Sequence, residues 1–301
     1  MPVLDYFVVD VFTETPLKGN SLAVVFNPGG LTSARMQAIA REFNLSETTF
    51  IERRAAAIEQ AEGVRVRIFT TQEELPFAGH PTLGTASILR EHAPETVREA
   101  AVTLALNVGA VPVRFDGEGS FGEMRQRDPE FGVELDPAEV ARLTGLGAED
   151  LDPALPPRIV STGTAFAIVV LRSAEALARL KVRQEEATTW LRESGARWFY
   201  VLGPVMESNG ESEGERPQFC ARMQFNGGED PATGSAAGCA IGYLVARGAV
   251  KAGERVHLRQ GVEIGRLSDL YLSAICESGI VSDVRVGGST VCVAKGQLFL
   301  P

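Results

Sequence analysis

The sequence predicts an α+β protein built from two similar β-rich halves, each holding a helix. Three observations lead there. The string GHPTLGTASILRE at 79–91 returns as EDPATGSAAGCAI at 229–241, which sets His80 against Asp230, Pro81 against Pro231, Gly84 against Gly234 and Ala86 against Ala236 at a constant spacing. An earlier pair, GNSLAVVF at 19–26 and GTAFAIVV at 163–170, repeats at nearly the same separation, so an internal duplication governs the fold. Many short strand-like runs accompany only two similarly placed helices, too few to cover both faces of a doubly wound parallel sheet.

The elements follow in order. Residues 3–13 and 20–27 are rich in Val, Phe and Leu and are broken by TPLKGN, so two strands around a loop open the chain. In TSARMQAIAREF, Thr32 or Ser33 can cap a helix whose Met36, Ile39, Ala40 and Phe43 fall on one face. NLSETTFIE reads as a loop entering a strand, and GVRVRIFTT alternates apolar residues with Arg in the period of a strand. ELPFAGHPTLGTASILRE turns helical at its motif, with a capping residue followed by Pro at the first helical position. The strands AAVTLALNVGAVPVRFD and FGEMRQR close the first half around the turn DGEGS.

The second half opens with Asp136 capping and Pro137 starting a short helix. RIVSTGTAFAIVVL gives strands around Gly163, and one longer helix is expected over 174–194. ARWFYVLGP and FCARMQF read as strands separated by a loop at 207–217, and Asp230-Pro231 is expected to cap and start the second motif helix. VHLRQGVEIG, LYLSAIC, SDVRVGG and TVCVAKGQLFL complete the chain as separate strands. The expected domains are 1–128, with the terminal strand 289–301 as a candidate to complete it, and 129–288.

Composition narrows the function. The chain of 301 residues is 45% hydrophobic and 23% charged, the make-up of a soluble globular protein, and has no apolar run near the roughly 20 residues needed to span a bilayer. The N-terminus lacks a basic region ahead of an apolar stretch, so a cytoplasmic location is expected. A net charge of −10 with no basic cluster argues against nucleic acid as a partner. The cysteines at 220, 239, 276 and 292 form no C-x-x-C pair and share no metal-ligand spacing with the three histidines, so reduced thiols and no metal are expected. GEGSFG at 117–122 matches G-x-G-x-x-G without a following apolar helix and reads as a hairpin turn. Chemistry without a cofactor is the simplest expectation.

Two helix starts with backbone N–H groups and positive dipole ends make a site for a carboxylate between the halves; the alternative for either copy alone is an ordinary cap with a glycine that eases packing. The halves differ where chemistry would occur. His80 stands against Asp230, and Glu47 has Arg197 or Ala196 as its approximate counterpart. One carboxylate points to a single group moving a proton between two positions, and Leu45 and Phe50 beside Glu47 favour a partly buried carboxyl whose pKa rises. A racemase with Glu47 and Asp230 as opposed bases is a second reading, and a binding protein without catalysis a third.

The strings DVFTETPLKGNSLAVV, NLSETTF, ELPFAGHPTLGTA, GGEDPATGSAAG and QGVEIGR resemble the phenazine-biosynthesis PhzF-like isomerase family over nearly the whole chain. The resemblance implies the diaminopimelate-epimerase-like fold, two pseudosymmetric domains that each wrap a β-barrel around a central helix, and with it homodimers, no cofactor and a small carboxylate-bearing, cyclic substrate of the trans-2,3-dihydro-3-hydroxyanthranilate type. By position, Glu47 corresponds to the general acid/base, and His80 and Asp230 to polar residues that orient the substrate. Asn20, Ser46, Gly79, Gly234 and Ser235 fall where the family holds the substrate carboxylate. The related racemases use two cysteines, which Ala78, His80 and Asp230 do not supply, so thiol chemistry is disfavoured. Ser21 replaces a common Pro and Leu17 a usual Phe, a change at the pocket rim.

Overall fold

The structure, a computed structural model, describes residues 3–26, 29–117, 119–205 and 218–300. The expected loop at 207–217 lies outside the described residues. Two compact units emerge: residues 1–125 with 287–301, and residues 126–286.

The first unit begins with β1 (Val3–Val11) and β2 (Asn20–Phe26), then α1 (Ser33–Phe43), β3 (Glu47–Glu52), α2 (Ala56–Glu62), β4 (Val64–Phe69), β5 (Glu74–Leu75) and α3 (Gly79–His92). Strands β6 (Val97–Arg98), β7 (Ala101–Leu106), β8 (Gly109–Phe115) and β9 (Phe121–Arg125) follow. Helix α1 forms as its sequence dictates: the Thr32 side chain accepts from the Arg35 N–H, Asn44 ends it in the left-handed conformation, and Met36, Ile39 and Ala40 pack on Phe50 and Phe69. Helix α2 was not expected. It buries no residue, so it has no apolar face for helical periodicity to report, and Glu59 ties it to the Arg53 guanidinium and the Arg54 N–H just before it.

The second unit contains β10 (Glu130–Glu134), α4 (Pro137–Thr144), β11 (Arg158–Ser161), β12 (Ala165–Val170), α5 (Gln184–Ser194), β13 (Trp198–Pro204), β14 (Phe219–Arg222), β15 (Gln224–Phe225), β16 (Gly228–Glu229), α6 (Gly234–Ala246), β17 (Val256–Gln260), β18 (Ser268–Glu277) and the start of β19 (Ile280–Phe299). Asp136 caps α4 as expected. The single helix expected over 174–194 is instead a 3-10 turn, Ala174–Arg179, and then α5. The break has a cause: the N–H groups of Lys181, Val182 and Arg183 bond outward to Thr144, Gln224 and Leu143. The last two expected strands are one, since β19 runs 20 residues through Gly287 and Gly288. It leaves β18 by a two-residue turn in which Ser278 and Gly279 both have positive φ, the geometry that matches strand twist.

Each unit winds its strands in the same order. In the first, β1–β2–β3–β4–β7–β8–β9 pair in sequence and the end of β19 pairs with both β9 and β1, which closes an eight-stranded barrel. In the second, the order is β10–β11–β12–β13–β14–β17–β18–β19. Two neighbouring pairs in each unit are parallel, β2–β3 with β4–β7 and β12–β13 with β14–β17. Parallel neighbours need a crossover, and α3 and α6 are the crossovers that fill the two barrels. Helix α3 is buried from Gly79 to Ala86 and packs on β1, β2, β3, β7, β8 and β9; α6 is buried from Ala236 to Val245. The fold is thus the α+β, barrel-around-helix architecture in both units.

Gly84 sets how closely α3 meets the barrel wall. A Cβ there would lie 2.8 Å from side-chain carbons of Leu22 and Val11 and 3.1 Å from Val9, all fully buried. Gly84→Val overfills this seam, and chemical denaturation should show a loss of about 1–3 kcal/mol with little change in the denaturant slope.

Candidate active site

In the first unit the register does the positioning. The antiparallel pairing of β1 and β2 sets Asp10 opposite Ser21 and Val11 opposite Asn20, and the parallel pairing of β2 with β3 sets Leu22 beside Glu47. Buried Asp10 accepts hydrogen bonds from the Leu17 N–H at 2.7 Å and from Ser21 Oγ at 2.8 Å, which folds the loop between the strands back on itself. Phe12, Leu17 and Gly19 in this loop all have positive φ. Ser21 therefore has a side-chain bond that a Pro could not make, and Leu17 is 68% exposed at the surface of the loop.

Asn20, Glu47 and His80 meet at the start of α3. The Asn20 side-chain nitrogen lies 3.3 Å from His80 Nδ1, and Glu47 Oε2 lies 3.2 Å from His80 Nε2 with angles outside hydrogen-bond geometry. With Asn20 donating to Nδ1, the neutral ring carries its proton on Nε2, on the side of Glu47. Burial lowers the His80 pKa to about 3, so the ring is neutral at physiological pH. The Glu47 side chain keeps 16% exposure and the His80 side chain 7%, so the carboxylate is the more accessible member of the pair. Gly79 is the first residue of α3, buried, and Ser46 is exposed one residue before β3. His80 does not cap the helix: α3 begins one residue earlier, with Ala78 in extended conformation at the cap and no capping side chain. The cap pattern misled because Pro81 is tolerated anywhere in the first turn.

In the second unit Asp230 also fails to cap, for the opposite reason: it lies outside the helix it was expected to start. Helix α6 begins at Gly234 after Thr233, and Asp230 instead accepts from Thr233 Oγ1 at 2.7 Å. Gln260, fully buried, donates to the Asp230 carbonyl at 2.8 Å and to Thr233 Oγ1 at 3.0 Å, and accepts from the Thr233 N–H at 3.1 Å and from Tyr200 at 3.0 Å. The Gly234 carbonyl accepts from Gln126 at 2.9 Å, and Ser235 is partly buried one residue on. Sequence reasoning missed Thr233, Gln260 and Tyr200 as members of this group; the one available signal was that Gln260 opens QGVEIGR. Register also corrects the comparison of the halves. Leu22 neighbours Glu47 as Phe166 neighbours Trp198, so Trp198, rather than Arg197 or Ala196, takes the place of Glu47.

The thiols have other work. Cys239 is buried in α6 within 3.5 Å of Thr162 Oγ1, and burial pushes its pKa up to about 11, which keeps it protonated. Among the described residues no three His, Cys, Asp or Glu side chains group as a metal site, and no helix is long and apolar enough to cross a membrane.

Comparison with known proteins gives this geometry its context. Residues 9–296 match the family described as phenazine biosynthesis-like protein. A trans-2,3-dihydro-3-hydroxyanthranilate isomerase of Pseudomonas aeruginosa is 35% identical over 98% of this chain and 99% of its own. An uncharacterized isomerase of Mesorhizobium japonicum is 34% identical over the full length of both. The crystal structure of a Bacillus anthracis phenazine biosynthesis protein of the PhzF family superposes with a TM-score of 0.86 at 26% identity, covering both chains completely. With its barrel-wrapped helices and a family match over nearly its whole length, this chain belongs to the phenazine biosynthesis-like, or PhzF, family of isomerases.

Proposed function

We propose that the protein is a cofactor-independent isomerase that moves a proton within a small, cyclic, carboxylate-bearing substrate of the trans-2,3-dihydro-3-hydroxyanthranilate type. The observation that carries the reading is the carboxylate of Glu47 set against a neutral, buried imidazole. A general base must accept a proton from carbon and a general acid must return it; one carboxylate can do both in turn, leaving as it began. An imidazolium beside it would hold the carboxylate as an ion pair and weaken it as a base. His80, neutral and fixed through Nδ1 by Asn20, can offer the Nε2 proton as a hydrogen bond instead. Ser46, Gly79, Gly234 and Ser235 supply small groups and helix-start N–H donors suited to a carboxylate, and Asp230 orients the remaining polar groups of the substrate. A homodimer acting in the cytoplasm goes with this reading, and sedimentation at micromolar concentration should return the mass of two chains.

The decisive experiment offers trans-2,3-dihydro-3-hydroxyanthranilate and related cyclic carboxylates in deuterated water. Wild-type protein should rearrange a substrate with deuterium uptake, and Glu47→Gln should lose about 10²–10⁴-fold in turnover while still binding it. Near-wild-type turnover by Glu47→Gln would sink the role given to Glu47, and thermal stabilisation without exchange would favour a binding protein. The buried imidazole also makes a pH prediction. Its folded pKa, about 3, lies below the ordinary 6.5, so the unfolded chain takes up a proton that the folded one refuses. That contribution is whole above about pH 6.5 and is lost as pH falls towards 3, at about 1.4 kcal/mol per unit. Denaturation curves from pH 7 to 5 should therefore be flatter for His80→Gln than for wild type by about one proton.

A further inference from the structure

The hydrogen bonds around Gln260 have only one arrangement of protons. Its Oε1 sits 3.1 Å from the backbone N–H of Thr233, which can only donate, and its Nε2 sits 2.8 Å from the backbone carbonyl of Asp230, which can only accept. Those two main-chain groups fix the orientation of the amide without appeal to any side chain. The rest follows by exclusion. Tyr200 must donate to Oε1, and the second Nε2 proton goes to Thr233 Oγ1. The Thr233 hydroxyl, having accepted, has its own single proton for Asp230 Oδ2 at 2.7 Å. Tyr200 and Gln260 are fully buried and Thr233 is 6% exposed, so water does not compete for these bonds. Gly261 brings the two segments together: its φ is +77°, and a Cβ there would lie 2.3 Å from the Arg266 carbonyl oxygen and 2.8 Å from that of Pro231.

We infer that Thr233 and Gln260 are positioning residues for Asp230: a one-way relay, Tyr200 and Gln260 to Thr233 to Asp230, that holds one carboxylate oxygen in a fixed direction. The inference rests on the role proposed above for Asp230. It assigns that role's accuracy to residues which themselves touch only the relay.

The test is a double-mutant cycle on kcat/KM with trans-2,3-dihydro-3-hydroxyanthranilate, alongside NMR of the folded protein. Thr233→Val, which keeps shape and loses the hydroxyl, should lower kcat/KM about 10- to 100-fold, the range for a bond to a charged group, and Thr233→Ser should restore it to within a few-fold. In an Asp230→Asn background Thr233→Val should add less than about twofold, because the two act as one unit. The Thr233 hydroxyl proton should be visible and protected from water in the wild type, and should shift in both Asp230→Asn and Gln260→Met. Full additivity of the two substitutions, a Thr233→Val enzyme with wild-type kcat/KM, or a hydroxyl proton that exchanges freely would each overturn the relay. The NMR arm needs no turnover, so it stands if the substrate assignment fails, whereas an active Glu47→Gln enzyme would refute the catalytic reading and leave the relay to be judged on the cycle and the resonance.

Discussion

A helix buried on every side for most of its length sets the terms for everything else in each unit. Helices α3, as far as Ala86, and α6, from Ala236 to Val245, lie inside their barrels without the polar stripe of an ordinary surface helix, and both are rich in Gly, Ala and medium apolar residues. Small residues let the wall approach, as at Gly84, and their cost in helix propensity is offset by packing on all sides. The ends are the harder problem. Backbone donors of a helix's first turn have no partner within the helix, and neither α3 nor α6 has a capping side chain. Polar residues gather at these two starts, Asn20 and His80 at one and Thr233, Gln260 and Gln126 at the other, and Gln260 takes the N–H of Thr233 just before α6.

Burial then sorts the protonation states. The same cause, removal from water, lowers the pKa of His80 and raises those of Cys239 and Tyr200, the last aided by the nearby charge of Asp230. All three stay uncharged and serve as fixed hydrogen-bonding or packing groups. In the reaction proposed above, proton transfer falls to the Glu47 carboxylate, whose side chain keeps 16% exposure, and needs no thiolate.

What the sequence made legible was local. The cap at Thr32, the Asp136-Pro137 start and the alternation of residues 64–69 each depend on neighbours within a few positions, and each element appears where those signals put it. The duplication was equally plain, because equivalent places in two barrels keep equivalent residues. Illegible were features decided by distant partners. The interruption at 180–183 is made by bonds to Thr144, Leu143 and Gln224, and Asp230 gave up the capping place because Thr233 and Gln260 hold it elsewhere. Asn20 entered only through family likeness; nothing in its surroundings announces that a histidine 60 residues later will meet it.

The long last strand has a consequence for how the chain is made. Residues 126–286 form a contiguous unit, whereas the barrel of residues 1–125 lacks the strand between β9 and β1 until residues 287–299 arrive. During synthesis the first unit therefore waits, with two open sheet edges, while about 160 further residues are added, roughly 8–30 s at ordinary elongation rates. The half that leaves the ribosome second is the one able to finish first, and the half that leaves first is the one whose sheet edges stay open in the interval.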